Sequence, residues 1–159
     1  MKKVLLTLLL VCMVLPTAAY ADPPGPNAVG SFVYTVTSST ERLAGDNLFV
    51  VGTDTAIYEG TFAGESTEEF VVVGHGSGFV FYKGTVSFTG KVFAGTANER
   101  EGTLEILFVG KSPGSFAEFT GTWRIISGGG DLADLHGQGT WWNTDFFMVD
   151  YEGRINFAP

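Results

Sequence analysis

Few side chains in this chain are suited to chemistry, and they are dispersed. His75 and His136 are the two histidines, and neither belongs to a close metal-ligand pair such as H-x-H or H-x-x-x-H. Either could act as a general base, because an imidazole titrates near neutral pH, but a solvated loop position is the simpler interpretation. No G-x-S-x-G elbow precedes a helix. The sequence therefore predicts no metal and no cofactor, and it leaves any catalytic residue unknown.

Carboxylates within the expected strands are a second group of candidates. They are Glu59, Glu105, Asp150 and Glu152. Polar residues that alternate with apolar ones along a strand usually face water, although these four could also reach a lumen or a subunit surface. The paired tryptophans Trp141 and Trp142 are simpler to interpret, because adjacent strand residues point in opposite directions. One is expected inside, and the other outside, where it could join a subunit interface or stack on a sugar.

Two glycine-rich segments resemble phosphate loops only superficially. Gly74 to Gly78 reads G-x-G-x-G, and Gly128 to Gly130 is a triple glycine. Neither opens a long helix, and Asp131 and Asp134 would repel a phosphate near the second segment. Turn chemistry explains both segments better.

The elements that must position these residues are β-strands. Apolar residues alternate with polar ones from Gly30 onward and again in the last strand, where Val149, Tyr151 and Ile155 share a face. We expect a polar hinge over Ser38 to Asn47. Residues Leu48 to Phe62 are then expected to form one long bent strand or two short ones, with a bulge or turn at Gly52 to Asp54. No segment of comparable length has helical periodicity, so the class is all-β.

The stretch from Ser115 to Trp142 contains the most distinctive pattern. Phe119, Trp123 and Ile125 alternate on one face of a strand. The triple glycine is expected to break that strand, and Leu132 and Leu135, three residues apart, suit one helical turn that buries apolar side chains under the loop.

Within this stretch, Ser127 to Gly137 reads S-G-G-G-D-L-A-D-L-H-G. It resembles the glycine-rich signature of allene oxide cyclases and dirigent proteins, in which a glycine cluster is followed by a large apolar residue and, five residues later, by another glycine. Leu132 and Gly137 hold those places. The order of elements from Ala56 to Phe157 resembles still more an uncharacterised bacterial family of small barrel proteins. The resemblance implies an eight-stranded calycin-like barrel, often oligomeric, around a mostly apolar lumen. The cyclases' catalytic residues do not map onto this chain.

Residues 1–21 have the features of a secretory signal peptide. Lys2 and Lys3 precede an apolar run that is shorter than the roughly 20 residues of a membrane span, and Ala19-Tyr20-Ala21 forms a cleavage site. Cleavage after Ala21 would leave seven basic residues against seventeen acidic ones, a net charge of −10, and would remove Cys12, the one cysteine. We therefore expect a secreted or periplasmic protein without disulfides, which does not bind nucleic acid.

The sequence as a whole predicts a signal peptide over 1–21, an extended proline-rich lead over 22–29, and one closed or nearly closed eight-stranded antiparallel β-barrel, allene-oxide-cyclase-like, over 30–159. An outer-membrane barrel is the alternative, but an apolar interior without membrane insertion is the working interpretation. Aromatic residues on the apolar faces are expected to line or fill the lumen: Tyr34, Tyr82, Phe88, Trp123 and Tyr151. The expected function is non-catalytic binding of a small apolar ligand, with a homo-oligomer as a further expectation. The alternatives are a cyclase or isomerase, and a structural or interaction protein of the cell envelope.

Overall fold

A computed structural model describes residues 27–114 and 118–158, and these form an antiparallel barrel of eight strands. The strands are β1 (Ala28–Ala44), β2 (Asn47–Gly60), β3 (Phe62–Gly74), β4 (Val80–Val92), β5 (Arg100–Ser112), β6 (Thr120–Gly130), β7 (Leu135–Asp145) and β8 (Met148–Phe157). Each strand pairs with the next, and β1 pairs with β8 to close the ring. The predicted fold class is confirmed. Within the described ranges, no helix is long and apolar enough to cross a membrane.

The start of the barrel differs slightly from the sequence-based boundary. β1 begins at Ala28, so Ala28 and Val29 belong to the sheet and not to an extended lead. The reason is the closure of the ring, because Ala28 pairs with Gly153 of β8. The predicted signal peptide and residues 22–26 of the predicted lead lie outside the described residues.

One wall of the barrel carries a longer hairpin than the sequence indicated. The predicted polar hinge is instead the end of β1, which pairs with β2 as far as Ala44 opposite Asn47. Side chains 37–44 are all exposed, so the backbone ladder holds this segment without an apolar face. Of the two alternatives for Leu48 to Phe62, the structure has the one long strand, β2, which runs through Gly52 to Asp54 as far as Gly60. The irregularity lies on the partner strand, between Val36 and Ser38 of β1.

The alternating apolar side chains converge on the inside of the ring, as the sequence predicted. At one end of the barrel they fill it completely. The rings of Phe62 and Trp123 are 5.7 Å apart, those of Phe62 and Phe88 are 5.9 Å apart, and those of Phe62 and Tyr151 are 5.4 Å apart. Such edge-on and tilted contacts between rings are favourable beyond the area that they bury. We call this cluster, with Tyr58 at 5.4 Å from Phe88, the aromatic floor.

Paired glycines make room for the largest of these rings. Gly139 of β7 lies directly opposite Gly153 of β8, and a Cβ atom on Gly139 would stand 2.6 Å from Nε1 of Trp123. The indole therefore lies against bare backbone, and its N–H donates a hydrogen bond to the carbonyl of Glu152 at 3.1 Å. Buried polar groups that are satisfied in this way avoid a desolvation cost.

The connection between β6 and β7 closes the filled end. The triple glycine does not break β6, because Gly128 to Gly130 continue to pair with β5, which corrects the sequence-based expectation. The expected turn follows it, with the N–H of Leu132 donating to the carbonyl of Gly129 at 3.3 Å. Leu132 and Leu135 are fully buried beneath the turn, as predicted.

Trp123 should be the most costly floor residue to truncate. W123A would remove an indole that is 2% exposed, and the rigid sheet around it cannot collapse into the space. We expect the free energy of unfolding, measured by chemical denaturation, to fall by about 3 to 5 kcal/mol. The outward-facing Ile57, which is 59% exposed, provides the control, and I57A should cost less than about 1 kcal/mol. Equal costs for the two variants would contradict this packing.

Candidate functional site

The other end of the barrel is hollow. It encloses a cavity of about 450 Å³, within the range of roughly 300 to 1,000 Å³ that is typical of small-molecule sites. Exposed Glu41 and Phe146 lie at its rim, so the cavity opens toward the end that carries the β1–β2 and β7–β8 turns. Aromatic side chains make up much of the wall: Phe32, Tyr34, Phe70, Tyr82, Phe108, Phe119 and Trp141.

Asp54 projects into this cavity from β2. It shares the inward face of the strand with Ala56 and Tyr58, at alternate positions. The β-bulge of β1 lies directly beside it, since Val36 pairs with Asp54 just before the register shifts. Bulges often reorient a neighbouring side chain at functional sites. The Asp54 side chain is 4% exposed, and its Oδ1 atom has no hydrogen-bond partner among the described residues.

Glu68 stands directly opposite Asp54, on β3. It alternates with Phe70 and Val72 on the inward face and is 7% exposed. The hydroxyl of Tyr82, from β4, donates a short hydrogen bond to Oε1 of Glu68. Gly84 makes space for the carboxyl group, because a Cβ atom at that position would overlap it. Three adjacent strands therefore combine to hold two carboxyl groups and a phenol at the inner end of the cavity.

Burial controls the ionisation of this pair. Desolvation raises the pKa of Asp54 to about 6. The pKa of Glu68 is raised to about 8, chiefly by desolvation and also by the negative charge of Asp54, while the hydrogen bond from Tyr82 acts in the opposite direction. Burial likewise raises the pKa of Tyr82 well above its ordinary value, so this phenol stays protonated. Near neutral pH the pair accordingly carries about one proton and one negative charge.

The rings around the pair form a continuous aromatic wall. The ring of Tyr82 is 5.5 Å from Trp141 and 5.9 Å from Phe119, and Phe108 is 6.0 Å from Trp141. On the opposite side, the hydroxyl of Tyr34 donates to the carbonyl of Phe146 at 2.8 Å. The wall beside the pair is thus aromatic, and the other polar groups of the lining, such as Asn143 and Glu41, lie nearer the rim.

The five aromatic residues predicted to line or fill the lumen divide into two groups. Tyr34 and Tyr82 line the cavity. Phe88, Trp123 and Tyr151 belong to the aromatic floor and fill the other end. Sequence reasoning missed Asp54 and Glu68, although their alternation with buried neighbours was a usable signal.

The polar candidates from the sequence lie elsewhere. Neither histidine lines the cavity: His75 is in the β3–β4 turn, with its ring 5.4 Å from that of Phe81, and His136 is exposed on β7. The carboxylates Glu59, Glu105, Asp150 and Glu152 are likewise absent from its wall. Trp141 is buried and Trp142 half-buried on the outside, as their adjacency predicted. Over residues 27–114 and 118–158, no three metal-binding side chains cluster.

Comparisons with known proteins identify a protein of similar fold but do not indicate a function. No family model matches the chain, and no curated protein matches it. Among solved structures, the barrel is similar to a protein of unknown function from the DUF3224 family of Shewanella oneidensis MR-1, with a TM-score of 0.62 and 17% sequence identity. The match covers 81% of this chain and 96% of that one. At this identity the similarity shows a shared fold alone.

The raised pKa values predict an unusual pH dependence of stability. Both carboxyl groups bind protons more tightly in the folded barrel than in the unfolded chain, so their contribution to the free energy of unfolding should decrease as pH rises from about 4 to about 8. The glutamine of E68Q does not titrate, so this variant lacks the pH-dependent contribution of Glu68. Its stability relative to the parent protein should therefore increase over that range, by an amount on the order of a few kcal/mol.

Chemical denaturation at a series of pH values measures this difference. The matched control is E69Q, since Glu69 is the next residue of β3 and faces solvent. We expect its stability relative to the parent to stay nearly constant with pH. A difference between E68Q and the parent that does not change with pH would contradict the burial of an ionisable Glu68.

Proposed function

We propose that the barrel binds one small, mostly apolar molecule in its cavity and does not alter it chemically. The observation that carries the proposal is the cavity of about 450 Å³ with aromatic and aliphatic walls. A void of this size between apolar side chains loses packing contacts that a ligand would restore. The aromatic floor supports the same function, because it blocks passage through the barrel and leaves one open mouth.

The wall residues suit a ligand with a compact apolar body. Val50, Phe70 and Val72 supply aliphatic and aromatic surface, and Tyr34 and Asn143 supply polar groups nearer the rim. Apolar contacts would provide most of the affinity, and the few polar groups would orient the ligand.

Replacing a small cavity residue by a large one tests this function. Val72 is 7% exposed and lines the cavity, whereas Val71, the preceding residue of β3, is 39% exposed on the outer face. We expect V72W to fill the cavity and to weaken binding of the neutral fluorescent probe N-phenylnaphthylamine by at least about tenfold, as loss of most of the apolar contact requires. V71W adds the same side chain outside and should bind the probe like the parent. Failure of the parent to bind the probe, or equal binding by both variants, would overturn the proposal.

One observation favours an isomerase as a second candidate. Asp54 and Glu68, whose pKa values lie near neutrality, stand together in an apolar cavity, and the hydroxyl of Tyr82 is hydrogen-bonded to Glu68. Asp54 could remove a proton beside a carbonyl group, protonated Glu68 could donate a hydrogen bond to the enolate oxygen while Tyr82 holds its carboxyl group, and Asp54 could return the proton two carbons further on. Such a transfer moves a double bond without any co-reactant.

A small cyclic β,γ-unsaturated ketone tests this candidate, because its conversion to the conjugated isomer raises ultraviolet absorbance. If the barrel is such an isomerase, the parent should accelerate the conversion, and D54N should reduce kcat by about 100-fold or more while leaving probe binding intact. E69Q should retain the full rate. Conversion by the parent at the uncatalysed rate would exclude this reaction.

The sequence supports three further proposals about this protein. We propose that the protein is exported, on the basis of residues 1–21, and that it associates with itself. Kinship with allene oxide cyclases and dirigent proteins is the third proposal, supported by the segment from Ser127 to Gly137 and by the eight-stranded ring. None of the three affects the geometry of the cavity.

A further inference from the structure

The charges of the cavity are unbalanced. Three carboxylates line it: Asp54 and Glu68 at the inner end, and Glu41 at the rim. No lysine, arginine or histidine of the described residues does so. A cavity lined by charge of one sign, with low-dielectric walls, concentrates the opposite charge.

The inner pair lacks a counter-charge. Oδ1 of Asp54 is buried and unpartnered among the described side and main chains, and the partner that Glu68 has there is the neutral hydroxyl of Tyr82. A buried carboxylate without a cation or a full set of hydrogen bonds is costly to a fold. The described protein supplies no such cation, so the cation that suits this position is one that enters from outside.

The aromatic wall restricts the type of cation. Tyr82, Phe70, Phe119 and Trp141 surround the space beside the pair. A small metal ion needs several oxygen ligands, and fewer than three metal-binding side chains converge here. Aromatic faces instead attract ammonium groups through their negative quadrupoles, and the rest of the wall favours an apolar body.

We propose that the cavity selects an apolar organic amine, with its ammonium group hydrogen-bonded between Asp54 and Glu68 and its hydrocarbon part against the aromatic wall. This inference rests on the proposed ligand-binding function and names the class of ligand. The positive charge of the ammonium group would neutralise the negative charge of the Asp54–Glu68 pair, and a charge-assisted hydrogen bond would satisfy Oδ1 of Asp54.

Three compounds with one apolar body and different head groups test the proposal: phenylbutylamine, phenylbutanol and phenylbutyrate. Each competes with N-phenylnaphthylamine for the purified protein. We expect the amine to bind about tenfold more tightly than the alcohol, which corresponds to about 1.4 kcal/mol, and the carboxylate to bind most weakly.

Isosteric variants assign the preference to the pair. D54N should bring the amine to within about twofold of the alcohol near neutral pH, where Asp54 holds the negative charge of the pair, whereas E68Q should keep the preference there but lose its increase toward pH 9. Binding of the neutral probe reports whether each variant is folded. E69Q should keep both the preference and its increase. Retention of the preference in folded D54N, or of its full increase toward pH 9 in folded E68Q, would overturn the proposal.

The pH dependence provides a readout that a structural role would not produce. The advantage of the amine over the alcohol should grow from about pH 5 to about pH 9 as the pair ionises, because an alkylammonium group stays protonated over that range. The tyrosines that face the pair from β1, β2 and β4 have pKa values above the ordinary one and should not contribute: Tyr34, Tyr58 and Tyr82. Exposed Glu41 is the other acidic residue of the cavity and lies at the rim, not beside the pair.

Different results would contradict the preference for an amine and the proposed binding function. If the probe binds but amine and alcohol compete equally, or the alcohol competes better, the ligand class is wrong and the binding function stands. If the probe does not bind the parent protein, the proposed function fails first. A preference for the amine that does not change with pH would also overturn the assignment to Asp54 and Glu68.

Discussion

Closure of the sheet is the constraint on which the whole structure depends. When β8 pairs with Ala28 to Val33 of β1, the ring closes, and alternate residues of the strands around it face the interior. The interior is too narrow for each inward side chain to be large. Paired glycines resolve the conflict at the filled end, where Gly139 and Gly153 leave space for Trp123. The same solution recurs for Trp141, which covers Gly110 and Gly121. The large aromatic rings of this barrel therefore pack against the backbone of glycine residues as well as against one another.

This arrangement divides the interior into a filled end and a hollow end, as the proposed binding function requires. The aromatic floor forms a rigid base, because its rings are held by hydrogen bonds as well as by contact. The N–H of Phe62 donates to the hydroxyl oxygen of Tyr151 at 3.0 Å, and the Trp123 indole donates to a backbone carbonyl. Above the base, the wall residues have no such filling opposite them, and the cavity remains. A cavity on a stiff base keeps its shape when empty, which reduces the cost of ordering a ligand within it.

The sequence predicted the fold better than it predicted the site, for a physical reason. Alternation is a local property, so the inward faces of β1, β6 and β8 could be read directly from Tyr34, Trp123 and Tyr151. Asp54 also follows this alternation, with Ala56 and Tyr58, but its place beside the bulge depends on the pairing of β2 with β1, which is not a local property. In the sequence, Gly52-Thr53-Asp54 is typical of a turn, and Glu68-Glu69 is typical of a solvated charged pair. Counting back from Phe70 by twos places Glu68 on the apolar face, but an inward carboxylate contradicts the usual preference of charged side chains for solvent. The distinction between cavity and floor was likewise beyond the sequence, because it depends on which glycines face one another across strands.

The buried carboxyl groups of Asp54 and Glu68 depart from the usual preference of charged side chains for solvent, and this departure costs stability. Like charges opposite each other on neighbouring strands are destabilising, and desolvation raises the pKa of both carboxyl groups. An alanine or valine at either position would satisfy the barrel at lower cost. The surroundings instead accommodate the carboxyl groups, since Gly84 clears the space for Glu68 and Tyr82 supplies its hydrogen bond. A feature that costs stability, yet is supported by residues on an adjacent strand, is better explained by what enters the cavity than by the folding of the chain. The two carboxyl groups face the cavity, which the described side chains do not fill, and the proposed ligand would supply the interaction that offsets their cost.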